Sequence, residues 1–299
     1  MKKMLFVYNP NAGKGLIKGK LADILDIFVK ADYEVVIYPT QAYRDGYNKV
    51  MKMEEGYDLL VCSGGDGTLD EVVTAMMARP IDKRIPIGYI PAGTTNDFAS
   101  SLHISRDMLD AAYTAVHGRK FACDIGRFNK DVFVYVAAFG LFTDVPYQTD
   151  QKLKNLLGHA AYVLEGAKRL ANIPSYRIKV THGDTVLEGD FMIGMITNSK
   201  SVAGFRSLKG KDVLFNDGEF EVTLIKKPKN PTELQKIITA LLIEEFNTEY
   251  MYTFKASHIT LESNVEIPWT LDGEYGGHHE MVNILNKNEA LEIMVENED

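Results

Sequence analysis

Two cysteines, Cys62 and Cys123, are all that the 299 residues contain, and no CxxC pair occurs. That excludes a disulfide framework and a cysteine-based zinc site, and a reducing compartment fits better. Long hydrophobic runs are missing too. The longest, Val132 to Phe142, has eleven residues including Gly140, well short of the ~20 that a spanning helix needs. The run Met4 to Tyr8 stops at Asn9-Pro10, too soon for a signal-peptide core. Positive charge is in short supply: 33 Lys and Arg stand against 41 Asp and Glu, a net −8. Nucleic-acid binding, which needs basic surface, is therefore a poor reading. There is no internal repeat and no low-complexity tract. With 45% hydrophobic and 25% charged residues the chain reads as globular, and its length, about twice the ~150 residues of a typical domain, predicts two. The expectation is a cytoplasmic protein with at most peripheral membrane contact.

Up to about residue 120, short apolar runs alternate with amphipathic stretches, the signature of an α/β layer structure. Strands are predicted at Met4–Tyr8, Tyr33–Tyr38, Asp58–Cys62 and Ile87–Ile90. Helices are predicted at Leu16–Lys30, Arg44–Glu55, Leu69–Ala78 and Met108–His117. From Phe121 the texture becomes antiparallel and β-rich. Strands are predicted at Asp131–Ala138, Arg177–His182, Thr185–Glu188, Phe191–Thr197, Phe220–Ile225, His258–Glu262, Met281–Leu285 and Leu291–Val295, with turn signals such as His182-Gly183-Asp184 and Asp272-Gly273 between them. Helices at Leu153–Leu170 and Pro231–Phe246 interrupt the series. The boundary falls near Asp124.

Three loops leave the carboxyl ends of predicted strands, where open α/β sheets collect ligands. The first is Asn9-Pro10-Asn11-Ala12-Gly13-Lys14-Gly15. It is not a Walker A loop, since Tyr8 stands where the leading Gly belongs. The second is Ser63-Gly64-Gly65-Asp66-Gly67-Thr68. Its glycines let a ligand approach the backbone, and the following helix offers free N–H groups and a dipole to an anion. A plain βα turn is the bland alternative, but three glycines around one Asp, closed by Thr, favour phosphate. The third is Pro91-Ala92-Gly93-Thr94-Thr95-Asn96-Asp97, in which Asn96-Asp97 also suits an ordinary helix cap. No G-x-G-x-x-G dinucleotide fingerprint follows an early strand.

In this order and spacing, NPNAGKG, SGGDGTLDEVV and PAGTTNDFA resemble the bacterial diacylglycerol kinase family, which is related to sphingosine and ceramide kinases. The second half is similar as well, through Leu156–Tyr162, Ser201–Phe205, Asn216-Asp217-Gly218-Glu219-Phe220 and Pro268-Trp269-Thr270-Leu271-Asp272-Gly273-Glu274. The resemblance implies an α/β nucleotide-binding domain at 1–123 and a β-sandwich-like lipid domain at 124–288. Residues 289–299 are expected to return to the first domain, and ATP to lie in the cleft. It places Asn9, Pro10, Asn11, Ala12, Gly13, Thr40, Gly65, Asp66, Gly67, Thr68, Leu69, Asp70, Glu71 and Thr94 against ATP. It puts Leu214, Asp217 and Glu219 at a structural Mg²⁺ site bound largely through backbone oxygens. Asp70 departs from the family's usual Asn and adds negative charge beside the phosphates.

Phosphoryl transfer needs positioning, charge stabilisation and a carboxylate for the hydroxyl proton. Asp272 and Glu274 flank a Gly turn and supply that carboxylate, either one being the base, while Asp66 and Asp97 complete the catalytic set. An acidic hairpin turn is the bland alternative for the pair. Residues 151–179 carry Lys152, Lys154, Lys168, Arg169, Arg177 and Lys179 against Glu165 alone. That suits attraction to anionic lipid, although a solvated helix face is the commoner meaning of such a run. His278-His279-Glu280 reads as surface histidines, since adjacent residues on a strand face apart. The reading is an ATP- and Mg²⁺-dependent kinase acting on diacylglycerol or a similar neutral lipid at a membrane surface, with no nucleic-acid partner and room for a homodimer. The alternatives are an NAD kinase-like enzyme, which shares GGDGT, and a non-catalytic nucleotide- or lipid-binding regulator.

Overall fold

The structure, a computed structural model, describes residues 1–94, 96–140, 174–198, 201–202, 205–206, 214–242 and 248–297. The expected helix at 153–170, the lysines at 152, 154 and 168, and Arg169 lie outside the described residues. The chain divides into two compact units: Met1–Ile125 with Asn288–Asp299, and Gly126–Lys287.

Unit 1 is an α/β layer. Its strands β1 (Lys2–Tyr8), β2 (Tyr33–Pro39), β3 (Leu59–Gly64) and β4 (Ile87–Pro91) pair in the order β4-β3-β1-β2, all parallel. The chain's last strand, which ends at Val295, joins the sheet beyond β4, pairing Ile293 with Ile87 in parallel. The middle strands are covered on both faces, and Met4, Leu5, Phe6 and Val7 have no solvent exposure. That is why they read as unbroken apolar runs rather than alternating ones. Helix α1 (Ile17–Lys30) buries Ile17, Ile24 and Phe28, positions repeating at helical spacing. Helix α2 (Asp45–Met51) is shorter than predicted, because its end tightens through the Met53 N–H to the Val50 carbonyl. Helix α3 (Asp66–Ala78) begins three residues before the predicted Leu69, inside the glycine motif, with Gly65 as its cap. A five-residue helix α4 (Asp97–Ser101), absent from the sequence reading, precedes α5 (Met108–His117), which Asp107 caps through two N–H bonds. Cys62 and Cys123 are fully buried, and burial pushes both thiols well up, so neither is a reactive thiolate.

Unit 2 is antiparallel. After β5 (Arg119–Phe128) come β6 (Asp131–Phe133), β7 (Val136–Gly140), β8 (Tyr176–His182), β9 (Thr185–Thr197), β10 (Ser201–Val202), β11 (Phe205–Arg206), β12 (Phe220–Lys226), helix α6 (Pro231–Leu242), β13 (Met251–Ala256), β14 (His258–Leu271) and β15 (Glu274–Val295). Strands β7 and β8 both sit between the long strands β9 and β14, β7 against one end and β8 against the other. Beyond β9 lie β12 and then β13, and β14 forms a hairpin with β15. The core gathers around Trp269, which is 1% exposed and meets Phe128 and Phe139 edge to face at 5.0 and 4.9 Å.

Several expected strands merge or split. Thr185–Glu188 and Phe191–Thr197 form one strand, since Gly189-Asp190 stays in the ladder against β8. β14 runs on to Leu271 by shifting register twice. The predicted strand Asp131–Ala138 is instead two, broken at Val134 and Tyr135. The amides at that break are drawn to a side chain.

Candidate functional site

The three loops of unit 1 meet at the carboxyl edge of its sheet. The Asn9 N–H bonds the Ser63 carbonyl at 2.8 Å, and the Ala92 N–H bonds the Gly64 carbonyl at 2.7 Å, so the loops are stitched together where the strands end. The first loop turns on an Asn9 side chain that accepts the Asn11 N–H at 2.9 Å. Gly13 has φ +56°, and a Cβ there would lie 2.3 Å from the Ala92 oxygen, so only glycine lets this loop close on the third. The second and third loops touch through their glycines, where a Cβ on Gly93 would stand 2.7 Å from the Gly65 Cα.

Asp66 opens α3, where a carboxylate is favoured by the helix N-terminus. It accepts the Asn96 N–H at 3.0 Å, tying the second loop to the third. Asn96 is 5% exposed and left-handed at φ 52°. It does not cap α4 with its side chain, which closes back on Gly93 by accepting its N–H at 3.0 Å and donating to its carbonyl at 2.9 Å. The sequence reading saw a cap here and missed this brace. The asparagine ahead of α4 was the signal, but which group it would bind depended on the fold.

Several expected site residues are brought to this edge: Asn9 to Gly13, Gly65 to Thr68, Thr94 and Asp97. Thr40 stands at the end of β2, its N–H on the Tyr8 carbonyl at 2.9 Å. Leu69 is buried in α3, and Thr68 folds over Gly64. Asp70 accepts the Thr74 hydroxyl at 3.4 Å. Glu71 turns elsewhere: its carboxylate accepts the Arg44 N–H at 2.7 Å and the Gly46 N–H at 3.0 Å.

In unit 2 the Asp272-Gly273 turn joins β14 to β15, with Asp272 left-handed at φ 51° and 5% exposed. Its carboxylate accepts three backbone N–H groups, from Val134 at 2.5 Å and from Tyr135 and Val136 at 2.9 Å each. The Tyr135 hydroxyl donates to the Asp272 carbonyl at 3.3 Å. This is what splits the predicted strand at residues 134–135: amides that would have served a ladder serve a carboxylate instead. Glu274, two residues on, is exposed, and among the described residues its side chain meets no hydrogen-bond or ion-pair partner. On β15 the Tyr275 hydroxyl pairs with the His278 ring, and His279 meets the Gly276 carbonyl at 2.9 Å.

At the expected metal turn, Leu214 is exposed and Gly218 is left-handed at φ 78°. Asp217 accepts the Glu219 N–H on one oxygen at 3.1 Å and the Lys255 ammonium on the other at 2.6 Å. Lys255 also lies 3.3 Å from Glu221, whose carboxyl burial pushes up to about 7 against the pull of that ammonium. Among the described residues no set of three His, Cys, Asp or Glu side chains is grouped to hold a metal. Both Asp217 carboxylate oxygens are thus already met by donors of the protein itself. Of the basic stretch, Arg177 and Lys179 are described, and both face carboxylates: Arg177 meets Glu188 at 2.9 Å and Lys179 meets Glu262 at 3.0 Å.

Comparison with known proteins decides the family. Residues 3–128 match the model of the diacylglycerol kinase catalytic domain. A diacylglycerol kinase of Bacillus subtilis strain 168 is 36% identical over 281 residues, 93% of this chain and 91% of that protein. This chain belongs to the diacylglycerol kinase family. Membership makes it an enzyme, a lipid kinase. A diacylglycerol kinase of Staphylococcus saprophyticus is 33% identical over 99% of this chain and 96% of its own length. The fold agrees with a crystal structure of a diacylglycerol kinase from Bacillus anthracis strain Sterne, at TM-score 0.75 and 20% identity over 98% of this chain and 97% of that one. Among the described residues no helix is long and apolar enough to cross a membrane.

Proposed function

We propose that the enzyme transfers the γ-phosphate of ATP to the hydroxyl of diacylglycerol or a similar neutral lipid. The observation that carries this reading is the meeting of three glycine loops at one sheet edge, with Gly13 on Ala92, Gly65 on Gly93 and Asp66 on the Asn96 amide. Such a surface presents main-chain N–H groups and a helix N-terminus to phosphate oxygens. Asn9 to Gly13, Thr40, Gly65 to Asp70 and Thr94 form the ATP site in this reading, and Asp66 and Asp97 hold the charge of the transferring group. Mg²⁺ would neutralise phosphate charge, and a second, structural ion would rest on the carbonyls of Leu214, Asp217 and Glu219.

Glu274, not Asp272, serves as proton acceptor for the lipid hydroxyl. The Asp272 carboxylate is already engaged by three amide N–H groups, whereas that of Glu274 is exposed, which favours Glu274 as the group that meets the lipid hydroxyl. Asp272 anchors the turn that carries it. Contact with the membrane is peripheral, aided by the lysines of residues 151–179.

The deciding experiment supplies radiolabelled ATP and Mg²⁺ to the purified enzyme with a panel of lipid alcohols in mixed micelles, and with NAD as a separate acceptor. Label in phosphatidic acid, or in the phosphate of another neutral lipid, supports the reading. Label in NAD alone sinks it.

A further inference from the structure

Glu71 sits on α3, one and a half turns after Asp66, yet its carboxylate does not face the phosphate edge. Both oxygens are committed to main-chain donors on another segment, the Arg44 N–H at 2.7 Å and the Gly46 N–H at 3.0 Å. These lie at the start of α2, whose first N–H groups have no intrahelical partner and whose own cap residue makes no side-chain cap bond. Arg44 holds a left-handed φ of 61°, a conformation that an L side chain adopts at some cost and keeps only when its surroundings fix it. A second carboxylate closes the same loop from inside: Asp45 accepts the Tyr38 hydroxyl at 2.9 Å and the Gln41 N–H at 2.8 Å. Thr40, the one residue of this loop in the proposed ATP site, lies between these anchors, its own N–H tied to Tyr8 at 2.9 Å.

We infer that Glu71 is a positioning residue for nucleotide binding. It clamps the loop of residues 40–46 to the helix that begins at the phosphate loop, so that Thr40 and the Asp66 loop are presented to ATP as one preformed surface. This deepens the proposed function and rests on its assignment of Thr40 and the glycine loops to ATP. It also changes the meaning of Glu71, which the family resemblance had set among the direct nucleotide contacts. With each of its oxygens held by a backbone N–H of that loop, the Glu71 carboxylate acts on the nucleotide through the loop that it holds.

The experiment uses the full-length enzyme with substitutions E71A, E71Q, T40A and the pair E71A/T40A. It measures KM for ATP, KM for lipid, kcat, and amide hydrogen exchange at residues 44 and 46. Loss of both bonds in E71A should raise KM for ATP about tenfold while kcat and the lipid KM stay near their original values. Glutamine offers one acceptor oxygen to two donors, so E71Q should raise KM about threefold and deprotect one of the two amides. E71Q also carries the test if E71A fails to fold. Because Glu71 works through Thr40, the double variant should bind ATP no worse than the weaker single one. If E71A deprotects residues 44 and 46 but leaves KM for ATP unchanged, the clamp is structural only and the inference is overturned. Additive losses in the double variant overturn it too, since they mean that Glu71 meets the nucleotide independently. If T40A and a D66A control both leave KM for ATP untouched, the assignment of these loops to ATP falls, and the inference falls with it.

Discussion

In unit 1, the polar edge is assembled from short segments that each follow a parallel strand, and its decisive contacts are close approaches of backbone: Gly13 to Ala92, and Gly93 to Gly65. In unit 2, the polar turn is held by one side chain, Asp272, whose three amide donors come from residues 136 to 138 positions away in the sequence. The first arrangement is repeated local chemistry, a strand end, a glycine and a helix start. The second depends on a single long-range tether. The difference teaches that two acidic residues of one motif can be given very different surroundings by the fold. Asp272 and Glu274 are equivalent as letters, but one carboxylate is held by three backbone N–H groups and the other is exposed.

The largest expected effect sharpens this contrast. Glu274→Gln keeps the shape and removes the basicity, so kcat should fall by about 10²–10⁴, with KM for ATP little changed. Steady-state kinetics checks this, and full activity in the variant would return the base to Asp272 or Asp97. Next is Asp66→Ala, which removes a carboxylate from the phosphate edge and the acceptor of the Asn96 N–H. It should lower kcat/KM about 10²–10³-fold, the scale of deleting one preorganised polar group from a charged transition-state site.

Asp272→Asn separates anchor from base. The amide keeps one acceptor oxygen and turns an NH₂ toward a backbone donor, leaving a buried N–H unpaired at a cost of about 1–3 kcal/mol. Its signature is a lower urea midpoint with a kcat loss smaller than that of Glu274→Gln. If Asp272→Asn instead matches Glu274→Gln in kcat with unchanged stability, the anchor reading breaks. The smallest effect is expected from Asn96→Ala, which deletes the two bonds bracing Gly93. At ~0.5–1.5 kcal/mol each, their loss should weaken ATP binding roughly tenfold, measurable by calorimetry.

Much of this was legible beforehand where the physics is local. The buried runs of β1 and β3, the spacing of Ile24 and Phe28, and the glycines that open α3 all announce themselves in one stretch of chain. The break of the strand after Phe133 was not legible, because Val134 and Tyr135 look like ordinary strand residues and their amide partner lies far along the chain. Nor was the brace of Asn96 on Gly93, since an asparagine before a helix reads as a cap. Glu71 looked like part of a nucleotide loop for a similar reason: its neighbours in sequence are there, but its carboxylate points to residues 44 and 46.

By itself, then, the sequence determined the α/β character of the first unit, the β-rich character of the second, and the glycine loops that leave the ends of the parallel strands. Those follow from periodicity, glycine freedom and helix-end electrostatics, all set within a few residues of chain. Only the tertiary structure decided which carboxylates are spent. A carboxylate's role depends on which donors reach its oxygens, and for Asp272 and Glu71 those donors are main-chain N–H groups brought close only when the chain has folded.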